Sequence, residues 1–425
     1  MKRRHFLPAA TAFALVPRFS FAKETAATAI ERAHEEIWRR FIDRHGILID
    51  FADLDGSVSL PTPEECRLGK PNALGWWSPI ENGSMFNGMY LEAMVNRWKV
   101  DQAPDSADKA RRLMRGLLYL NSISDVPGFV GRGVSTDGKS HYPMGSNDQT
   151  FPWFYGLWRY WESGIATAPE KQEILDHLTR TADAIAALKW QMPAEAPFGV
   201  RGGFGAFSFE GAPRLLFLCK LMHHLTGASK WETHYRENLE AKGGQPESHS
   251  RLEWCEIGMT FEGGRKDSWT SCNSVCGLLS LWELDTEDSL RARFLAGLRS
   301  SATLAAESFP IVEQWNNDDA SHFEHDWRVM NEDWKPQQTE QEAQSLAEAQ
   351  LRAYSKLSPR RGLETRLVRE PCFAAWVVTL SPDREQIKKH ADGIERVISR
   401  YDYRKLIYSQ FFPVESAWWR LKLAS

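Results

Sequence analysis

Apolar residues recur at helical spacing along most of the chain. Ile30, Ala33, Ile37 and Phe41 share one face of a first helix, and Ala110, Leu113, Met114 and Leu117 repeat the pattern behind Asp105 or Ser106 as N-cap. Thr167 and Glu170 form a capping box ahead of Ile174, Leu175, Leu178, Ala182 and Ile185. Ser229 and Glu232 form another, just after Thr226-Gly227 closes the preceding helix. Ser381-Pro382 opens a helix carrying Ile387, Ala391, Ile394 and Ile398. The same periodicity predicts helices over 83–100, 148–163, 209–226, 269–284, 286–307, 340–356 and 370–380, about twelve in all. Strand signals are weak, and no Asn-Gly or Asp-Gly turn sits between well-alternating runs. The expected class is all-α. Helices alternating with loops in this number fit six hairpins closed into an (α/α)6 toroid, with an inner ring, an outer ring and a cleft built by loops at one rim. An open solenoid is the rival, but no fixed-period repeat is visible.

Four long loops, 47–80, 124–147, 191–208 and 308–338, interrupt the pattern, and loops of this length in a helical domain usually carry function. No Pro/Ser-rich linker divides the chain, so residues 23–425 are read as a single domain. Residues 1–22 read as an export signal. Lys2-Arg3-Arg4-His5-Phe6-Leu7 precedes a short apolar run from Pro8 to Pro17, and Ser20-Phe21-Ala22 offers small residues for cleavage. Arg3-Arg4 followed by Phe6-Leu7 resembles a twin-arginine signal, although Lys2 and Pro8 depart from it. The expected location is periplasmic or secreted. The apolar run is too short for a stable span and no later run is longer, so no stable membrane insertion is expected.

Composition narrows the class further. With 425 residues and 42% hydrophobic content, a large core is affordable. A net charge of -4 argues against nucleic acid, which calls for a basic surface. Six cysteines are too few for a disulfide scaffold, and Cys272 and Cys276 at i, i+4 suit packing better than zinc. No cofactor is implied.

The candidate chemistry centres on Gly145-Ser146-Asn147-Asp148-Gln149-Thr150, which runs into Phe151-Pro152-Trp153. A lone acid among amides at the mouth of an aromatic helix suits a proton transfer on a sugar gripped by Trp faces. Asp148 is the candidate acid/base, and the simpler role of Ser146, Asn147 or Asp148 is helix capping. Glu81, in Pro79-Ile80-Glu81-Asn82-Gly83, is the candidate second carboxylate; an acid there also complements the helix dipole. His141 is a third candidate in proton transfer. Arg132 and Arg201 are candidates to hold a substrate carboxylate in a bidentate pair. Tyr142, Asn147 and Gln149 would meet hydroxyls, and Trp76, Trp77, Trp153 and Trp269 would stack.

Other motifs are set aside. Gly133 to Ser140 matches a phosphate-loop expression, but no strand precedes it and Pro143 and Gly145 prevent a helix after Lys139. The Gly-rich run 198–205 reads as a loop close to a ligand or another backbone. His322-Phe323-Glu324-His325-Asp326 is metal-like in composition but fits no standard site and reads as a polar rim. Arg369-Glu370-Pro371 and Tyr408 to Pro413 receive no role. No Ser nucleophile elbow is present.

Asn147-Asp148-Gln149 with Trp153, Gly156-Leu157 and Trp158, on this helical layout, resembles the six-hairpin glycosidase superfamily over nearly all of 24–420, nearest to the unsaturated uronyl hydrolases. The resemblance implies an (α/α)6 toroid in which Asp148 protonates the double bond of an unsaturated uronic acid before water adds. Polysaccharide lyases on helical toroids use Tyr, His and Arg, for which Tyr142, His141 and Arg132 would serve. The expected partner is an acidic oligosaccharide or polysaccharide. A non-catalytic carbohydrate-binding protein is the alternative from another class.

Overall fold

The computed structural model describes residues 25–244, 248–261 and 266–424, so the export signal read at 1–22 lies outside the described residues. Sixteen α-helices and four short strands are present among them, an all-α composition. Numbered in chain order, one set is buried almost all round: α3 (Gly83–Asp101), α5 (Asn147–Glu162), α7 (Ala212–Thr226), α10 (Ser268–Leu284), α14 (Glu370–Thr379) and α16 (Pro413–Ala424). A second set buries one stripe: α1 (Ala26–Glu36), α4 (Pro104–Leu120), α6 (Ala168–Ala187), α8 (Ser229–Leu239), α11 (Asp288–Ala306) and α15 (Arg384–Ile398). The rest are α2 (Pro63–Leu68), α9 (Arg251–Ile257), α12 (Glu340–Leu357) and α13 (Pro359–Glu364).

The two sets follow from sequence. α4 buries Ala110, Leu113, Met114 and Leu117, the i, i+3, i+4, i+7 stripe of a surface helix. α3 buries every residue from Gly83 to Asn96, so apolar and small residues occupy its whole circumference. Its neighbour is reached through glycine: a Cβ on Gly88 would lie 2.1 Å from the Pro152 carbonyl oxygen, and one on Gly156 would lie 2.4 Å from that of Gly88. The backbones of α3 and α5 therefore touch where any side chain would separate them. α3 also packs on α16, α16 on α14, α14 on α10, and α10 on α7; α5 meets both α7 and α10. The one-striped helices cover these: α4 on α3, α6 on α5 and α7, α8 on α7, α11 on α10 and α14, and α15 on α14 and α16.

Most predicted helices stand within a few residues, and the exceptions have local causes. The Thr167 and Glu170 capping box forms as expected. Ser229 instead lies inside α8, whose N-cap is Ala228, so its hydroxyl makes no cap bond. Pro104 opens α4 with Ala103 as its cap, which places Asp105 and Ser106 within the first turn. Asp383, not Ser381, caps α15 by accepting from the Glu385 and Gln386 amides. Four helices beyond the predicted twelve are α2, α9, α13 and α16. α16 escapes a periodicity search because it is buried on nearly every side. The loop 191–208 contains the antiparallel pair β1 (Gln191–Pro193) and β2 (Val200–Gly203), and β3 (Lys242–Gly243) pairs with β4 (His249–Ser250). Gly202, at φ 66°, lets β2 lie against the Asn147 side chain.

Candidate functional site

The N-terminal ends of α3, α5, α10 and α14 open on one cavity of about 760 Å³, a volume suited to a ligand of a few rings. Unpaired amides at helix starts favour negative charge, and each start carries an acid. Asp148 lies in the first turn of α5, Glu81 precedes α3, Asp267 caps α10 and Glu370 opens α14.

Three of these acids have fixed surroundings on the cavity: Glu370, which accepts from the Ser268 amide and the Ser268 and Ser308 hydroxyls, and then Asp148 and Glu81. Asp148 Oδ1 accepts from Arg214 Nη1 at 2.7 Å. Arg214 is buried in α7 and is itself held by the Ser274 hydroxyl and the Thr270 carbonyl, both at 3.0 Å. The Asp148 side chain keeps 38% of its surface exposed, so one oxygen is pinned while the group remains accessible. Glu81 Oε2 accepts from the Trp77 amide at 2.7 Å. That amide points at the carboxylate because Trp77 is left-handed, with φ 72°, a conformation that costs a bulky residue about 1–3 kcal/mol and clusters at functional sites. Behind Glu81, Asp50 accepts from the Asn82 amide and Nδ2 at 2.8 and 2.7 Å. Burial, then the neighbouring Glu81, push the Asp50 carboxyl well above the usual carboxylate range.

Gln149 joins the two helix mouths. Its Nε2 donates to Asn82 Oδ1 at 3.2 Å and its Oε1 accepts from the Met85 amide at 3.0 Å. The cavity wall is aromatic and cationic. Arg369 lies over Trp269 and Arg361 over Trp77, each 4.5 Å from the ring centroid. Lys266, Arg132, Arg201 and Arg366 add to these, giving six cations against four carboxylates on the lining.

The structure thus brings Asp148, Glu81, Gln149, Arg132, Arg201, Trp76, Trp77 and Trp269 to one cavity. It corrects the part assigned to Arg132: Nε, Nη1 and Nη2 donate to the carbonyls of Met144, Glu81 and Gly145, so this guanidinium binds loops together. Burial, then Arg201, pull it down to about 10. Arg201 is paired with Glu340 at 2.7 Å.

Four predicted residues lie elsewhere. His141 faces another cleft, where Nε2 meets Glu195 Oε1 at 3.1 Å and Nδ1 meets the Lys139 carbonyl. Tyr142 is buried and donates to the Lys70 carbonyl at 2.5 Å. Trp153 is buried with its indole N–H on the Leu117 carbonyl, and Asn147 packs on Gly202. The reason is depth and loop path: Trp153 lies one turn below Gln149, inside the core, and His141 and Tyr142 belong to the loop that leads into α5.

In the loop 133–140, Asp137 gathers the Ser135 and Ser140 hydroxyls and the amides of Lys139 and Ser140, a closed turn rather than a phosphate cradle. His325 pairs with Asp53 and Asp326 caps a short 3-10 turn. Among the described residues, no group of three or more His, Cys, Asp or Glu side chains is gathered for a metal.

Sequence reasoning missed Arg214, Asp50, Arg361, Arg366, Arg369 and Gln410. Arg214 had a signal, a lone cation ahead of Leu215-Leu216-Phe217-Leu218, since a charge entering an apolar helix needs a partner. Arg369-Glu370-Pro371 receives no role from sequence, and the signal available is Leu367 and Val368 between the arginines, both buried. No family model matches the chain, and neither a curated protein nor a solved structure matches it.

Proposed function

We propose that the chain is an exported glycan-active enzyme on an (α/α)6 toroid, hydrolysing short uronic-acid-containing oligosaccharides with Asp148 as general acid/base. The toroid is supported by the succession of packed pairs. α3, α5, α7, α10, α14 and α16 follow one another in sequence order and α16 returns to α3, with a one-striped helix outside each. The observation that carries the function is the coincidence, in one cavity, of an accessible carboxylate with one pinned oxygen, a second carboxylate and stacked Trp–Arg pairs.

In this reading a sugar ring stacks on Trp faces, and Asp148 Oδ2 delivers a proton to the double-bond carbon while Arg214 keeps Oδ1 in place. Water adds to the developing cation and returns its proton to the carboxylate, so the acid is restored. Glu81, fixed by the Trp77 amide, orients that water or a ring hydroxyl. The lyase alternative is less supported, because Tyr142 and His141 lie away from the cavity and Arg132 donates to carbonyls.

The test follows the ultraviolet absorbance of unsaturated uronic rings during incubation with acidic polysaccharides and their lyase-generated oligosaccharides. Hydrolysis lowers it. A rise would replace the hydrolase with the lyase, and no change with any substrate would sink both and leave a neutral-glycan enzyme or a binding protein.

A further inference from the structure

Arg361, Arg366 and Arg369 differ from every other arginine on the cavity. None forms an ion pair among the described residues, whereas Arg201 is paired with Glu340 and Arg132 is bound to three carbonyls. Arg361 donates only to the Tyr408 hydroxyl, at 3.1 Å. Arg369 Nε is buried with no hydrogen-bond partner among the described residues, and so is Gln410 Oε1 on the same lining. Buried polar atoms are normally satisfied, so orphans facing a cavity point to a ligand that completes them. Two of the three guanidiniums sit over indole rings, those of Trp77 and Trp269, at 4.5 Å from the centroid, and apart from Arg361 Nε their N–H groups carry no hydrogen bond among the described residues, which leaves them for a two-toothed partner.

The wall belongs to α13, the π-helical turn Thr365–Arg369 and the start of α14. Asp148 belongs to α5. In the packing succession α14 and α5 are separated by α16 and α3 on one side and by α10 and α7 on the other.

We infer that Arg361, Arg366 and Arg369 form a subsite for an oxyanion of the ligand, a carboxylate or a sulfate ester, seated across the cavity from Asp148, with Gln410 accepting a hydroxyl beside it. The inference rests on the glycan reading only for the molecule that carries the oxyanion. It moves acid recognition from Arg132 and Arg201 to a wall remote from the reacting group. Binding there would tether one end of the ligand while the other end meets Asp148, so remote binding energy would favour the reaction rather than hold the substrate alone.

Titration calorimetry on the full chain, with sodium sulfate and sodium glucuronate against sodium chloride at matched ionic strength, tests this. At least one oxyanion should bind above the chloride background, and R361Q, R366Q and R369Q should each weaken it by about tenfold. R201Q should change it far less. Unliganded R369Q should melt within a few degrees of wild type, because it loses only the contact with the Trp269 ring and no hydrogen bond or ion pair, and R366Q, on an exposed residue, guards against a folding defect. Binding of glucuronate alone assigns a uronate carboxylate, binding of sulfate alone a sulfate ester, and binding of both a general oxyanion seat. The inference is overturned if neither anion binds above chloride, or if R369Q lowers the melting temperature while leaving anion affinity intact. Anion binding without turnover of any oligosaccharide would instead remove the enzyme reading and leave the subsite standing.

Discussion

Two charged clusters occupy opposite ends of the same buried helices, and they differ in how their cations are used. Toward the C-terminal ends, Arg420 pairs with Glu92 and Arg159 with Glu283, tying α16 to α3 and α5 to α10. Arg420 also donates to the Thr379 carbonyl, and Arg159 lies 4.3 Å over Trp158. At the N-terminal ends, Arg361, Arg366 and Arg369 form no ion pair among the described residues. A paired buried charge holds helices together. An unpaired one is kept at a cost to folding, which selection tolerates where a ligand supplies the missing partner.

The largest effect expected is on turnover at the open end. Asp148→Asn should lower the rate by about 10²–10⁴ while ligand affinity is retained; equal losses in rate and affinity would demote Asp148 to a binding residue. Next is stability at the paired end. Glu92→Gln leaves Arg420 without its carboxylate and should cost about 3 kcal/mol in chemical unfolding, whereas Arg369→Gln loses only its contact with the Trp269 ring and should cost about 1 kcal/mol or less. Burial raises the Glu92 carboxyl, but Arg420 and Arg159 more than offset it, so its folded value is depressed. Its contribution is therefore present above the unfolded value of about 4.3 and lost as pH falls through the folded one, and the gap between Glu92→Gln and wild type should close in acid.

A smaller effect belongs to Trp269, whose ring supports Arg369. Trp269→Ala should weaken acidic-ligand binding by about 1 kcal/mol, read as a roughly fivefold rise in Kd. The smallest lies outside both clusters. Burial works against a charged His141, but Glu195 and the Lys139 carbonyl raise it overall. That support is complete below the unfolded value of about 6.5, disappears as pH rises through the folded one, and amounts to at most about 1 kcal/mol. His141→Gln should flatten the fall in melting temperature across that range; an unchanged slope would assign the dependence to another group.

What the sequence determined by itself is what depends on near neighbours. Helical periodicity marked the one-striped helices, because a surface helix must bury a stripe at 3.6 spacing. The capping box at Thr167 and the Ser146-Asn147-Asp148 helix mouth were legible for the same reason, since their bonds close within four residues. Tertiary structure alone decided which polar residues share a cavity. Asp148 and Arg214 lie 66 positions apart and Trp77 and Arg361 lie 284 apart, so only packed helices bring them together. It also separated His141, Tyr142 and Trp153 from Asp148 despite their nearness in sequence, because the loop before α5 carries the first two into another cleft and the core, and Trp153 lies a full turn deeper in the helix, with its indole on the Leu117 carbonyl. Whether an arginine is satisfied or waiting is a matter of distant partners, and no local pattern carries that information.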